Sequence, residues 1–134
     1  MSANLDLVRS IYADWERGDF SRADWADPEI EYVQVGGLAP GSRTGLTGMA
    51  QAMRDWLSGW EDFRVEAAEC RKLDDERVLV FTRSSGRGKT SGLDLAQMRA
   101  RERADVLRIR GGKAVRLDYY GSTEEALKSV GLEA

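Results

Sequence analysis

Histidine is absent from the 134 residues, and cysteine occurs only once, as Cys70. Without histidine the chain lacks the commonest general base, so acid–base chemistry falls to Asp, Glu, Tyr, Lys or Cys. One cysteine excludes an internal disulfide, which is consistent with a reducing cytoplasm. Nothing in the composition supports a transition-metal site, and we expect neither a metal nor another cofactor.

An excess of basic charge and a long apolar run are missing as well. The chain has 20 Lys and Arg against 23 Asp and Glu, a net charge of −3, so we expect no nucleic-acid or membrane partner. No apolar run approaches the roughly 20 residues that cross a bilayer, and the first residues lack the pattern of a signal peptide. The length and composition predict a single cytoplasmic globular domain over residues 1–134.

Helical spacing of apolar residues dominates the first part of the chain. A helix is predicted over 3–17, where one apolar stripe consists of Leu5, Val8, Tyr12 and Trp15. A short second helix is predicted over 19–25, and residues 36–45 are predicted to form a glycine-rich loop. Thr47 is the predicted cap of a third helix, whose apolar stripe consists of Met49, Met53, Trp56 and Trp60.

Alternating patterns dominate the rest of the chain. Strands are predicted over 29–35, from Phe63 onward, over 77–83, over 93–110 and over 113–120, with a polar hairpin tip over 84–92. Ser122 and Glu125 form the capping box of a last helix. Helices followed by antiparallel strands indicate the α+β class, a bent sheet with helices packed on one face.

The stretch from Ala104 to Tyr120 is the most informative part of the sequence. It predicts two strands joined at Gly111-Gly112, a dipeptide that favours a tight hairpin turn. Asp105 shares one strand face with Leu107 and Ile109, so a carboxyl group is placed among apolar side chains. Two interpretations stay open: a functional group in a pocket, or an ion pair with Arg103 or Arg101.

The order of these elements resembles a known family. The segments that carry the resemblance are Ile11-Tyr-Ala-Asp-Trp-Glu-Arg-Gly-Asp19, Asp27-Pro-Glu-Ile-Glu-Tyr32, Gly111-Gly-Lys-Ala-Val-Arg116 and Glu125-Ala-Leu with Gly131-Leu132. They are similar to the SnoaL-like polyketide cyclases of the nuclear-transport-factor-2-like superfamily, which also includes ketosteroid isomerases. The resemblance implies a cone-shaped α+β barrel in which helices cover the concave face of a curved antiparallel or mixed sheet. It also implies a pocket for a small hydrophobic molecule and a homodimer.

The same resemblance implies a role for Asp105. The run Asp105-Val-Leu-Arg-Ile is similar to the ketosteroid isomerase strand whose protonated aspartate donates a hydrogen bond to an oxyanion. Other positions depart from the family pattern. Val33 occupies the position that corresponds to the catalytic base of the isomerases, and the tyrosine on their first helix aligns nearer Ile11 than Tyr12. Tyr119 occupies the position of the catalytic acid of the cyclases, while Asp118 faces the opposite side.

These considerations lead to a set of predicted site residues. Asp105 and Tyr119 are the catalytic candidates, and the predicted ligand contacts are Tyr12, Trp15, Trp25, Tyr32, Trp56, Trp60, Arg83, Arg103, Leu107 and Leu117. The first functional hypothesis is acid–base catalysis, of the isomerase or cyclase type, on a small carbonyl or polyketide-like compound. A variant resembling limonene-epoxide hydrolase would use Asp105, Arg103 and Asp118. The alternative hypothesis is a non-catalytic module that binds a ligand or dimerises.

Overall fold

The computed structural model describes residues 3–35, 41–95 and 102–131. In chain order the elements are α1 Ala3–Glu16, β1 Ala26–Val35, β2 Gly41–Thr44, α2 Gly45–Leu57, β3 Trp60–Lys72, β4 Arg77–Gly88, β5 Glu102–Arg110, β6 Lys113–Tyr120 and α3 Thr123–Ser129. Within these described ranges, no helix combines the length and the apolar character needed to span a membrane.

Six strands form one mixed sheet in the order β2-β1-β6-β5-β4-β3. β1 runs parallel to β6, and the other neighbouring pairs are antiparallel. The α+β class and the mixed sheet are therefore confirmed. The expected barrel is not closed, because β2 and β3 lie at opposite edges of the sheet and do not pair with each other.

Both faces of the sheet are covered by helices. On the face that we call inner, α1 and α2 pack over a cluster that includes Ile30, Val80 and Leu107. On the outer face, Ala126 of α3 packs against a second cluster that contains Leu79 and Val106. The expectation that the helices share one face is therefore wrong for α3. β5 is apolar on both of its faces, so the outer one also needs a cover.

The predicted helix over 19–25 does not form, and this segment has no regular structure. Asp19 Oδ1 accepts hydrogen bonds from the backbone nitrogen and the hydroxyl of Ser21, at 3.0 and 2.6 Å. Short polar side chains that bind nearby backbone in this way compete with helix formation. The indole of Trp25 donates to the carbonyl of Arg22 at 3.0 Å, which fixes the segment further.

The second helical region is shifted from its predicted position. Part of the predicted loop over 36–45 is strand β2, whose Thr44 pairs with Glu31, and residues 36–40 lie outside the described ranges. The helix begins at Gly45 after the cap residue Thr44, not after Thr47. It ends at Leu57, so Trp60 opens β3 instead of closing the helix.

The predicted hairpin tip over 84–92 is largely strand, because β4 continues to Gly88. Its last residues pair with the start of β3, with Ser84 opposite Val65 and Gly88 opposite Trp60. Gly86 permits this close approach: it has a φ of +145°, and an added Cβ would lie 3.2 Å from the Glu61 carbonyl oxygen. Of the strand predicted over 93–110, residues 102–110 form β5 and residues 96–101 lie outside the described ranges.

Two local predictions are confirmed by backbone geometry. Gly111 and Gly112 join β5 to β6 with φ values of 57° and 78°, the left-handed conformation that a tight hairpin turn requires. The Ser122 hydroxyl accepts a hydrogen bond from the Glu125 backbone nitrogen at 3.2 Å, which caps α3. The hairpin places Asp105 and Tyr119 directly opposite each other.

Candidate functional site

A small cavity lies between α2 and the inner face of the sheet. Its volume is about 30 Å³, which is room for one or two water molecules. Its walls are mostly apolar and aromatic, with a few polar groups, which is typical of small-molecule sites. The described lining residues are Phe20, Tyr32, Gln34, Met53, Trp56, Leu57, Phe63, Val65, Thr82, Ser84, Arg103, Asp105 and Tyr119.

A larger and more open space, which we call the vestibule, adjoins this cavity. Its volume is about 580 Å³, and it shares Tyr32, Gln34 and Trp56 with the cavity. The remaining described lining residues are Gly41, Arg43, Ala52, Asp55, Gly59, Trp60, Gly88, Thr90, Ser91 and Leu93. The only carboxylate among all these vestibule residues, that of Asp55, is 3.6 Å from the Arg43 guanidinium. A ligand of drug-like size would fit the vestibule, beside the three residues that the vestibule shares with the cavity.

Asp105 is the buried acid of the cavity, with 1% of its surface exposed. Its Oδ2 accepts a hydrogen bond from the Tyr12 hydroxyl, whereas its Oδ1 is buried without a hydrogen-bond partner. Burial raises the pKa of Asp105 to about 7, and the Tyr12 hydrogen bond and the Arg103 charge only partly oppose the rise. Both protonation states of this carboxyl are therefore populated near neutral pH.

Tyr12 reaches Asp105 from the buried stripe of α1. The phenol is 1% exposed, and burial, followed by the neighbouring Asp105 charge, raises its pKa well above the ordinary value. Tyr12 therefore remains a protonated donor. The hydroxyl beside Asp105 belongs to Tyr12 and not to the neighbouring position, Ile11, onto which the family resemblance placed the helix tyrosine. Both residues are buried, so the apolar stripe alone could not distinguish them.

Two further tyrosines stand beside the acid. The rings of Tyr32 and Tyr119 meet edge to face with centroids 5.1 Å apart, and Tyr119 also stacks on Trp15 at 6.2 Å. Burial raises the pKa of Tyr32 to about 12 and that of Tyr119 well above its ordinary value. Both phenols therefore stay neutral, and a side-chain hydrogen bond between them further raises the pKa of Tyr119 and opposes the rise at Tyr32.

Arg103 brings a positive charge to the same wall. Its guanidinium carbon lies 5.8 Å from the ring centroids of both Trp56 and Tyr119, a cation–π geometry. Its Nε donates to the Tyr120 carbonyl oxygen at 3.2 Å, which orients the group. Among the described residues no ion pair joins Arg103 to Asp105, and Arg101, the other predicted partner, lies outside the described ranges.

The structure brings together some of the predicted site residues and separates others. Asp105, Tyr119, Tyr32, Trp56 and Arg103 line the cavity, and Trp60 lines the vestibule. The remaining predicted contacts do not line either space: Tyr12, Trp15, Trp25, Leu107 and Leu117 are buried in the inner core. Arg83 is exposed and alternates with the inward-facing Thr82 and Ser84, so it points away from the cavity.

The acid set that a limonene-epoxide-hydrolase-like reaction would need is not assembled. Asp118 pairs with Val106 across the strands, on the outer face, and its carboxylate is 2.9 Å from Arg116. Asp105 faces the opposite side of the same sheet. In addition, the described part of the chain contains no group of three or more His, Cys, Asp or Glu side chains that could hold a metal ion.

Several lining residues were not predicted from the sequence. Thr82 and Ser84 continue the inward alternation of Val78 and Val80, a pattern that the sequence already contains. These two residues were missed because the strand was predicted to end at Arg83. Other missed residues come from segments brought together only by folding: Phe20, Gln34, Met53, Leu57, Phe63 and Val65.

Comparison with solved structures identifies the fold. No family model and no curated protein matches the sequence. Among solved structures, an NTF2-like protein of unknown function from Burkholderia pseudomallei has a TM-score of 0.77 at 20% identity, over 97% of this chain and 98% of that one. The chain has the NTF2-like fold. A hypothetical protein with a ketosteroid isomerase-like fold from Catenulispora acidiphila, solved in complex with trimethylamine, has a TM-score of 0.71 at 18% identity, covering 95% of this chain and 93% of that one. A candidate SnoaL-like polyketide cyclase from Mesorhizobium loti has a TM-score of 0.67 at 13% identity, covering 87% and 97%.

Proposed function

We propose that this NTF2-like protein binds a small apolar carbonyl compound in the cavity and vestibule and exchanges a proton with it through Asp105. The observation that carries the proposal is the buried, unpartnered Oδ1 on the cavity wall, on a carboxyl whose pKa is about 7. A general acid or base works best when its pKa is near the operating pH. Asp105 meets this condition, and none of the other described residues that line the cavity is a carboxylate.

The chemistry would be enolisation, the step shared by isomerases and cyclases that act on ketones. The ionised Oδ1 takes a proton from the carbon next to the carbonyl group: the C–H bond breaks, an O–H bond forms, and the electron pair moves to the carbonyl oxygen. Tyr119 lines the same cavity as a neutral phenol, and its hydroxyl would turn from Tyr32 to donate a hydrogen bond to that oxygen. Return of the proton to a different carbon completes an isomerisation.

The structural neighbours support a small-molecule site of this type. One of them was solved in complex with trimethylamine, and another is a candidate polyketide cyclase. A non-catalytic ligand-binding or dimerisation module is the second candidate, favoured by one specific observation. The described cavity wall offers a single carboxylate, where enzymes often divide acid and base roles between two groups.

Exchange of hydrogen for deuterium in a ketone distinguishes the two candidates. We expect the protein to accelerate exchange of the α-protons of 2-tetralone in D₂O, followed by proton NMR. Asp105→Asn should lower the exchange rate by about 100-fold or more, since a positioned acid–base group contributes at least that much. Asp75→Asn, at an exposed position in the turn between β3 and β4, is the matched control. Binding of tetralone without faster exchange would instead support the binding module.

The homodimer implied by the family resemblance remains part of this proposal. A monomer has a mass of 14.9 kDa. Sedimentation velocity at micromolar concentration should therefore detect a particle of about twice that mass, and a single species at the monomer mass would contradict the dimer.

A further inference from the structure

The positive charge of Arg103 lacks a carboxylate partner within the described ranges. Its polar contact is the bond from Nε to the Tyr120 carbonyl oxygen, and its guanidinium lies over two aromatic rings. By contrast, Arg71, Arg77 and Arg116 each have a carboxylate oxygen within 3.0 Å. A half-buried guanidinium at a cavity wall is a strong site for an anion, because charge-assisted hydrogen bonds gain strength away from water.

Asp105 offsets this charge only while it is ionised. One of its oxygens is engaged by Tyr12, the other has no hydrogen-bond partner, and a pKa of about 7 leaves both protonation states populated at neutral pH. Whenever Asp105 carries its proton, the described wall of the cavity has a net positive charge. The ion pair of Arg43 and Asp55 leaves the vestibule without such an excess.

We propose that Arg103 binds an anionic group, a carboxylate, on an aromatic ligand whose ring system occupies the vestibule and the aromatic wall of the cavity. This inference rests on the proposed function and narrows its ligand class to an otherwise apolar carbonyl compound that carries one carboxylate on its aromatic ring system. The aromatic part is matched by the rings of Tyr32, Trp56 and Phe63, and Trp56 lines both spaces. The planar guanidinium can hold both carboxylate oxygens at once, which a lysine could not do.

The decisive comparison uses two probes of nearly identical shape, naphthalene-2-carboxylate and its neutral amide, naphthalene-2-carboxamide. Isothermal titration calorimetry should show tighter binding of the carboxylate. Arg103→Met should weaken carboxylate binding by about tenfold or more and leave carboxamide binding unchanged, because only the charged hydrogen bonds are lost. Arg64→Met is the matched control, since Arg64 is exposed and donates a hydrogen bond to the Glu16 carbonyl oxygen at 3.4 Å, away from the cavity.

The outcomes separate this inference from the proposed function. Equal binding of the two probes would overturn the anion site and leave the proton-exchange proposal standing. An equal loss of affinity for both probes in Arg103→Met would also overturn the anion site, because the side chain would then act through packing and not through its charge. If neither probe binds the wild-type protein, the aromatic-carboxylate ligand is wrong, and exchange of tetralone protons still tests Asp105 independently.

A second measurement needs no variant. An anion beside Asp105 raises the pKa of that carboxyl, so carboxylate binding at pH 7 should take up as much as about half a proton. The other titratable groups around this carboxyl are Tyr12, Tyr32, Arg103 and Tyr119, and the pKa values of the three phenols are raised above their ordinary values. Calorimetry in buffers of different ionisation enthalpy measures this uptake. A carboxylate that binds with no more proton uptake than the carboxamide would overturn the proposal.

Discussion

Replacing Asp105 with asparagine tests the central feature of the site through protein stability. The folded-state pKa of about 7 lies above the ordinary value of 3.8 because burial penalises the ionised form. The folded state therefore holds a proton that the unfolded state has released, throughout the pH range between these two values. The protonated Asp105 therefore makes its full contribution to the free energy of unfolding below about pH 4, and this contribution is lost as the pH rises to about 7.

The size of the effect follows from the two pKa values. A difference of about three pH units at ~1.4 kcal/mol per unit corresponds to about 4 kcal/mol, an upper estimate for a carboxyl that is 1% exposed. Asparagine has a similar shape and does not ionise. The free energy of unfolding of the wild type, minus that of Asp105→Asn, should therefore fall by up to about 4 kcal/mol between pH 4 and pH 8.

Urea denaturation of both proteins, followed by the fluorescence of the four tryptophans, measures this difference at each pH. The other carboxyl groups titrate equally in the two proteins, so their contributions cancel in the difference. One of them, Asp74, has its pKa lowered to about 2 by Arg77, so its contribution to stability increases with pH instead of decreasing. A difference that is flat from pH 4 to pH 8, or that rises with pH, would refute the reasoning. It would show that the carboxyl is solvated or ionised in the folded protein.

Two further substitutions probe the neighbours of the site and the local signals of the fold. Tyr12→Phe should raise the pKa of Asp105 above about 7, because it removes a hydrogen bond that stabilises the ionised carboxylate. Carbon NMR of the carboxyl group measures this pKa. An unchanged value would show that the hydrogen bond is absent in solution. Ser122→Ala should lower the free energy of unfolding by about 1 kcal/mol because the cap of α3 is lost. Ser58→Ala, at an exposed position after α2, should cost less in the same urea assay, and an equal loss would argue against a capping role.

The sequence predicted correctly several features that depend on interactions between residues close together in the chain. The apolar stripe of α1, the Gly111-Gly112 turn and the Ser122 cap each depend on residues only a few positions apart. The predicted helix over 19–25 failed for an equally local reason, the competing hydrogen bonds of Asp19. The sequence contained that signal as well, because Asp and Ser at this spacing favour turns.

Features that depend on distant pairing were not predictable in this way. β4 extends to Gly88 because β3 supplies hydrogen bonds beside it, and the glycines and serines of this stretch suggest a loop when read alone. α3 packs on the outer face because Leu79 and Val106, which are far apart in the chain, form one apolar surface there. The lining residues Phe20 and Met53 likewise meet the site only through folding.

For Asp105, sequence alone determined the acid, its strand and the inward face, because side chains alternate strictly along a strand and its neighbours on that side are apolar. The tertiary structure decided which group meets the acid. A helix 93 residues away in the chain brings the Tyr12 hydroxyl to one oxygen and leaves the other without a partner. Hydrogen bonds and charges between distant segments depend on distances of a few ångströms, and only the packed chain sets those distances.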